Sequence, residues 1–180
     1  VPDWSIVWDE IREAAYCNRE WTGGATTDVI WVSDRAVSLL EVHHEYTGGA
    51  HGNYWYQARC YIDDNGSARE LKLAELFEPS GKWKQHLVNY CVNDLRRQGA
   101  TALNASDQKE ESDSPPLDED DLVTFSLAPS GLWFFFSPYH VGSYAEGAYS
   151  VCVPYAEIEP FISESSPARL FMPRRSPSDK

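Results

Sequence analysis

The sequence predicts an α+β domain in which an antiparallel-dominated sheet has its helices packed mainly on one face. The predicted elements do not alternate regularly between strand and helix, which argues against a parallel, doubly wound sheet. Short turn signals separate the predicted strands, as in hairpins. Apolar residues make up 42% of the 180 residues and aromatic residues 13%, which is enough material for a core. We expect one sheet that includes residues 36–46, 53–63, 122–128, 132–137 and 149–154.

The chain begins with a predicted amphipathic helix and a predicted hairpin. Over residues 3–21 the apolar side chains fall on one helical stripe, and Asp3 is a candidate N-cap. Residues 28–33 and 36–46 are rich in β-branched and aromatic residues. Two polar residues between them, Asp34 and Arg35, predict the turn of a hairpin.

The middle of the chain predicts a further strand and the second helix. Residues 53–63 have high β-propensity and end at an Asp-Asn-Gly turn. Residues 70–78 indicate a strand that runs into a short helix. Residues 82–98 predict a helix that ends at Gly99, because apolar side chains recur there at helical spacing. The residues at this spacing are Trp83, Leu87, Tyr90, Cys91 and Leu95, and we expect Trp83, Leu87, Cys91 and Leu95 to point inward.

The last part of the chain predicts three strands and a short helix. Residues 122–128 and 132–137 flank a Pro-Ser-Gly turn, and residues 149–154 form the third strand. The helix is expected at 155–162. Residues 107–121 carry eight acidic side chains and one lysine, which indicates a solvated loop, and we expect residues 105–120 to be among the most mobile of the chain.

Composition divides the chain into three parts. Residues 1–23 are an N-terminal helix that could be the remnant of a preceding domain, and residues 24–163 are a single α+β domain. Residues 164–180 are rich in Pro, Ser and Arg, which predicts a flexible tail. The chain begins at Val1 and not at Met, so we expect that a segment upstream has been removed.

Charge and cysteine content narrow the class of protein. The net charge of −13 argues against nucleic-acid binding and suits a basic partner. No apolar run approaches the ~20 residues of a membrane-spanning helix. The spacing of the four cysteines matches no metal-binding pattern. It is compatible with two disulfides and also with four free thiols. If the protein matures outside the cytoplasm, a disulfide between Cys17 and Cys91 is the favoured pairing.

Two glycine-rich segments with aromatic residues are the candidate binding site. Residues 46–53 and 138–147 each flank predicted strands, and their bare backbone permits the close approach of other groups. Each segment also fits a simpler interpretation, a shaped turn or packing at the edge of the core. We expect the two loops to lie side by side, with these residues in the site: Tyr46, Gly48, Gly49, His51, Pro138, Tyr139, His140, Tyr144 and Gly147.

The same segments carry a family resemblance. The sequences YTGGAHG (46–52), LKLAELF (71–77), FSPYHVGSYAEG (136–147) and VPY (153–155) resemble the domain of unknown function at the C-terminal end of RsiV-type anti-sigma factors. The resemblance covers roughly residues 28–162. It implies an α+β fold and an extracytoplasmic location, periplasmic, secreted or membrane-anchored through a missing N-terminal segment. Some members of the family are lysozyme sensors, and others accompany a cell-wall polysaccharide deacetylase domain. A sigma-binding segment and a membrane span, which a full anti-sigma sensor has, are not seen in this chain.

Two functions from different classes follow. The favoured one is a non-catalytic recognition module that binds a lysozyme-like protein or a cell-wall glycan, with no catalytic residue, metal or cofactor. The sequence has neither a GxSxG nor an HExxH motif, and adjacent His43 and His44 face opposite sides of a strand. The alternative is a cell-wall hydrolase that uses His51 and His140 with a carboxylate or a metal. A pocket in which His51 meets a carboxylate would favour the hydrolase.

Overall fold

The architecture is α+β, as predicted, but it contains two antiparallel sheets. The computed structural model describes residues 15–17, 22–48, 50–103 and 117–172. The first sheet has five strands in sequential order, and the second has three. Every pairing within them is antiparallel.

The first sheet is a meander of long strands. The predicted hairpin and the strand after it are confirmed. The first strand of the hairpin begins earlier than predicted, at Thr22, and the other two strands match the predicted bounds to within one residue. A bulge between Val29 and Trp31 shifts the register, which places Trp31 opposite Ser38 on the inner face of the sheet. The strands are β1 Ala15–Cys17, β2 Thr22–Val32, β3 Ala36–Tyr46, β4 Asn53–Asp64 and β5 Ser67–Glu70.

The second sheet consists of β6 Phe125–Ala128, β7 Gly131–Phe136 and β8 Tyr149–Val153. The prediction of one continuous sheet is therefore wrong. Strand β6 pairs with β7 and packs against the first sheet through side chains without joining its ladder. The alternation of hydrophobic residues determines which face of a strand is buried, but it does not specify the strand with which it pairs. The sequence pattern therefore could not distinguish one sheet from two.

A small polar network joins the two sheets. Ser38 Oγ lies 2.5 Å from Ser126 Oγ and 3.4 Å from Cys60 Sγ. The same oxygen accepts a hydrogen bond from the backbone N–H of Leu127 at 3.2 Å. All these side chains are fully buried. The contact between β3, β4 and β6 is thus fixed by specific hydrogen bonds as well as by apolar packing.

The main helix, α1 (Lys82–Gln98), has the predicted bounds. Gly99 follows it in the left-handed conformation, which is the usual end of a helix. The helix covers the inner face of the second sheet and packs against β8. Its buried residues are Trp83, Leu87, Val88, Cys91 and Leu95. The predicted helix at 155–162 is a short helix, α2 (Tyr155–Ile158), which continues as a 3₁₀ turn over Glu159–Phe161.

Several element boundaries differ from prediction. Residues 15–17 form an edge strand, so the predicted helix 3–21 is wrong there, and its other residues lie outside the described ones. Strand β5 ends at Glu70 and is followed by a 3₁₀ turn over Leu73–Leu76. A 3₁₀ turn over Asp120–Val123 replaces the start of the predicted strand 122–128.

The predicted flexible tail is wrong for residues 164–172. Phe171 is only 1% exposed and its ring lies 5.1 Å from that of Trp31. Ser166 donates a hydrogen bond to the carbonyl of Leu76 at 2.6 Å and caps a 3₁₀ turn over Pro167–Leu170. The apolar residues at 168–172 provide enough buried area to order a segment whose remaining composition is polar. Residues 173–180 lie outside the described ones.

The acidic loop is also ordered where it is described. Backbone N–H groups of Asp118 and Asp120 donate to the carboxylates of Asp121 and Asp118, both at 2.8 Å. Leu117 and Leu122 anchor this turn in the core. The expectation of mobility over residues 105–120 is therefore wrong for residues 117–120, whereas residues 104–116 lie outside the described ones.

Cys60, Cys91 and Cys152 are free thiols. The predicted disulfide between Cys17 and Cys91 is therefore wrong, because Cys91 is a free thiol buried in the core. Among the helices of the described residues, none is long and apolar enough to span a membrane.

Candidate functional site

The two glycine-rich loops lie against each other. The hydroxyl of Tyr144 donates a hydrogen bond of 2.6 Å to the carbonyl of Gly52. The imidazole of His51 stacks on the Tyr144 ring, with the ring centroids 4.0 Å apart and the planes 17° from parallel. The structure thus joins the two predicted loops, because Tyr144 of the second loop contacts Gly52 of the first through a hydrogen bond and His51 through its ring.

The backbone at Gly52 permits this contact. Its carbonyl lies 2.9 Å from Nδ1 of His51, in addition to the Tyr144 hydroxyl. A Cβ atom at this position would lie only 2.9 Å from the carbonyl oxygen of Glu45. Any larger residue would therefore push the two ends of the loop apart and move the acceptor that holds Tyr144.

Glu146 organises the second loop. Its carboxylate accepts hydrogen bonds from the backbone N–H and the hydroxyl of Ser143, both at 2.7 Å, and from the N–H and hydroxyl of Thr101 at 3.0 and 2.7 Å. Tyr149 donates a fifth at 2.9 Å. The carboxylate lies so close to Gly142 that a Cβ there would be 2.5 Å from Oε2. These bonds, those from Ser143 first, hold the pKa of Glu146 far below its usual range.

Tyr139 projects from the surface beside Tyr144. It is 64% exposed and has a φ of 70°, a left-handed conformation that is uncommon for residues other than glycine. Its neighbours Pro138 and Val141 are buried, and they anchor the turn on both sides. The ring centroids of Tyr139 and Tyr144 are 5.4 Å apart. The two loops, 46–53 and 138–147, are called here the loop pair. Tyr139, its most exposed aromatic ring, therefore packs against Tyr144, its most firmly held one.

His140 faces a different neighbour from His51. Its Nε2 lies 2.7 Å from Oδ1 of Asp121, and its ring meets Phe136 edge-on. This pair ties the second loop to the acidic turn at Asp120–Val123. His51 and His140 thus have separate partners and share no carboxylate in this arrangement.

The other predicted site residues surround this centre. Tyr46 is 43% exposed at the end of β3. Gly48 and Gly147 have positive φ values of 87° and 80°, and Gly147 lies under the hydroxyl of Tyr54. Gly49 lies outside the described residues.

Sequence reasoning missed several residues that shape the site. Tyr54 meets Tyr144 edge-on at 6.2 Å, and Ser137 Oγ accepts a hydrogen bond from the N–H of Tyr56 at 3.0 Å. The alternation of tyrosines at 54 and 56 within a predicted strand is a signal for one aromatic face. Thr101 and Asp121, in contrast, are far from the loops in sequence, and no local pattern points to them.

The arrangement offers contact surface more than reaction chemistry. Within the described residues, no group of three or more His, Cys, Asp or Glu side chains is placed to hold a metal ion. A cleft of about 350 Å³ lies elsewhere, between the β2–β3 turn and residues 164–172, called here the C-terminal segment. No residue of the two glycine-rich loops lines this cleft.

Comparison with known proteins agrees with this class of fold. Residues 74–156 match the family model described as "Protein of unknown function (DUF3298)". Over these residues, which are fewer than half of the chain, the sequence is similar to the DUF3298 family, in agreement with that part of the predicted resemblance. The match includes the second loop and ends before the C-terminal segment. No curated protein matches the chain.

Two solved structures share the architecture. One is a DUF3298 family member from Bacteroides fragilis NCTC 9343, with a TM-score of 0.66 and 22% identity, over 94% of this chain and 66% of that one. The other is a DUF3298 family protein from Pseudomonas aeruginosa PAO1, with a TM-score of 0.60 and 15% identity, over 95% of this chain and 72% of that one. At these identities the similarity establishes the fold alone.

Proposed function

We propose that this chain is a non-catalytic recognition module whose ligand contacts the surface formed by His51, Tyr139 and Tyr144. The observation that carries the proposal is Tyr139, a large aromatic side chain exposed on a left-handed backbone. Such a conformation costs about 1–3 kcal/mol and persists only where the surrounding structure holds it, which is characteristic of functional sites.

The rigidity of the loop pair supports a binding role. Tyr144 is fixed by Gly52 and His51, and Glu146 closes the loop behind it with five hydrogen bonds. A surface that is already ordered loses little conformational entropy on binding. Tyrosine also supplies a large contact area with few rotatable bonds.

The partner we favour is a basic protein such as lysozyme, encountered outside the cytoplasm. A net charge of −13 accelerates the encounter with a cationic partner. The resemblance of both loops to RsiV-type anti-sigma factors supports the same partner and an extracytoplasmic location. A cell-wall glycan is the second candidate ligand, because half-exposed aromatic rings can stack on sugar rings.

The alternative, a cell-wall hydrolase, has less geometric support. A histidine that acts as a general base needs the substrate and an orienting group within hydrogen-bond reach. His140 has such a group in Asp121, whereas His51 stacks on a tyrosine and lies beside a backbone carbonyl. Release of reducing ends from purified peptidoglycan, abolished by His140→Ala, would support the hydrolase.

The test replaces Tyr139 by Ala and measures binding to lysozyme and to soluble peptidoglycan fragments. Loss of a true anchor lowers the binding free energy by at least ~2 kcal/mol. The melting temperature should not change, because the side chain is exposed. Val32→Ala, an exposed residue on β2, is the matched control and should leave binding intact. Equal affinity of Tyr139→Ala and the parent, or no binding of either ligand by the parent, would contradict the proposal.

A further inference from the structure

The ring contacts of the loop pair continue across both sheets. Beyond Tyr144, successive aromatic side chains on β4 and then on β7 touch one another without a break. None of these rings is fully buried. The series, called here the aromatic stripe, consists of His51, Tyr139, Tyr144, Tyr54, Tyr56, Phe135 and Trp133.

The spacing along the stripe is regular. Tyr144 to Tyr54 and Tyr54 to Tyr56 are both 6.2 Å between ring centroids. Tyr56 to Phe135 is 5.8 Å, and Phe135 to Trp133 is 6.4 Å. The contacts range from edge-on to stacked, as is common for aromatic pairs, and together they make one contiguous surface.

The fold places the stripe where the two sheets separate. Tyr54, Tyr56 and Cys60 share one face of β4, since alternate residues of a strand point to the same side. At Cys60 this face is buried against β6, whereas at Tyr56 and Tyr54 it is partly open to solvent. The hydrogen bond from the N–H of Tyr56 to Ser137 Oγ fixes the crossing from β4 to the end of β7.

Apart from His51, the rings of the stripe are uncharged, and the four tyrosines among them carry hydroxyl groups. Among the described residues, no hydrogen-bond partner is seen for the hydroxyls of Tyr54, Tyr56 and Tyr139. Burial, and next to it the neighbouring Tyr54, raises the pKa of the Tyr56 phenol, which therefore stays uncharged. The ammonium of Lys84 lies over the ring of Trp83, away from the stripe. The stripe contains neither lysine nor arginine, the side chains that usually bind anions.

We propose that the aromatic stripe is a binding track for an extended, neutral glycan chain, with the loop pair at one end and Trp133 at the other. The apolar faces of successive sugar rings stack on the aromatic rings, and the available phenol groups hydrogen-bond to sugar hydroxyls. The inference rests on the proposed function in using the loop pair as one end of the track. It adds residues of two strands to the site, and for the stripe it selects the second of the two candidate ligands, the glycan, over the basic protein.

An extended proline-rich peptide is the main competitor for such a surface, because aromatic grooves also bind polyproline helices. Such peptides offer carbonyl acceptors and no hydroxyl groups. Three tyrosine hydroxyls that can both donate and accept favour a ligand with both functions. A glycan therefore fits the stripe better than a proline-rich peptide does, and the peptide is included in the test as a competing ligand.

The test is a titration of the full chain with β-1,4-linked N-acetylglucosamine oligomers of two and six units, with cellohexaose, and with decaproline. Affinity should rise with glycan length, because a longer chain reaches more rings. The indole N–H of Trp133, which donates to Ser130 Oγ at 3.0 Å, is one of seven in the protein. Its NMR signal, assigned through Trp133→Phe, should shift with a hexamer.

The variant Trp133→Ala should weaken hexamer binding at least ~tenfold, equal to about 1.4 kcal/mol, and should affect the dimer less. Trp55→Ala is the matched control, because Trp55 is partly exposed on the opposite face of β4, stacked on His43. If Trp133→Ala lowers the melting temperature, the indole shift of the parent protein still decides the question.

Three outcomes would overturn the inference. Glycan binding that depends on Tyr139 without a shift of the Trp133 indole would confine the site to the loop pair and retain the proposed function. Binding of lysozyme or decaproline, with no glycan bound, would replace the ligand class. Absence of every ligand, with no effect of Tyr139→Ala, would reject both the inference and the proposed function.

Discussion

The hydroxyl of Tyr144 donates to the carbonyl of Gly52, 92 residues earlier in the chain, at 2.6 Å. This single bond joins a loop between two strands of the first sheet to a loop between two strands of the second. In the described part of the chain the two sheets share no ladder hydrogen bond, so side-chain contacts of this kind set their relative position at the site.

Removing that hydroxyl should loosen the loop pair. We expect Tyr144→Phe to lower the free energy of unfolding by about 1 kcal/mol, the usual contribution of one hydrogen bond. Tyr139→Phe is the matched control, because the hydroxyl of Tyr139 has no hydrogen-bond partner among the described residues. Urea denaturation followed by fluorescence measures both. Equal stability of the two variants would show that the Tyr144–Gly52 bond contributes nothing.

Glu146 should make the second loop sensitive to acid. Its pKa is lowered in the folded protein, so ionisation stabilises the fold at neutral pH, and this contribution is lost as the pH falls from the usual glutamate range towards the lowered value. We expect Glu146→Gln to melt at a lower temperature than the parent at pH 7.

This difference should shrink as the pH decreases, since the parent loses the same charge. Melting curves between pH 7 and pH 2 give the comparison, with Glu70→Gln, an exposed carboxylate, as control. A difference that stays constant over this range would contradict a lowered pKa at Glu146.

Ser38 should be a stability determinant despite its small size. Ser38→Ala leaves the N–H of Leu127 without its acceptor and Ser126 without its partner, both in the core. An unsatisfied buried polar group costs about 1–3 kcal/mol. Ser67→Ala, exposed on β5, should change stability little. In the double variant Ser38→Ala/Ser126→Ala the loss should be smaller than the sum of the single losses, and strict additivity would speak against a coupled network.

The three described thiols should differ in reactivity. Burial raises the pKa of Cys60 to about 11 and that of Cys91 to about 12, so few thiolates form at either site near pH 8. Cys152 is only partly buried, although burial raises its pKa as well. Alkylation followed by mass spectrometry should therefore detect modification of Cys152 before Cys60 and Cys91. In urea the three should react alike, and early labelling of Cys91 in the native protein would contradict its position in the core.

Local sequence determined the elements and the chemistry of the candidate site. Helix 82–98 was predictable because its apolar stripe and Gly99 act over one or two turns. The hairpin of β2 and β3 was predictable from β-branched residues on both sides of a polar turn. The two loops were recognisable by composition, since clustered glycine, tyrosine and histidine between strands is a short-range pattern.

Tertiary structure alone decided how these parts combine. The sheet divides in two because the buried residues of β6 pack between the first sheet and the rest of the core, and pairing partners are not encoded in alternation. Residues 164–172 are ordered because Phe171 packs against Trp31, although most of the chain separates the two residues in sequence. In the same way, His140 contacts Asp121 and His51 contacts Tyr144 because the assembled fold brings together residues that are distant in sequence. A side chain's type is a local property, whereas its partner depends on the burial and the hydrogen bonds that only the assembled fold supplies.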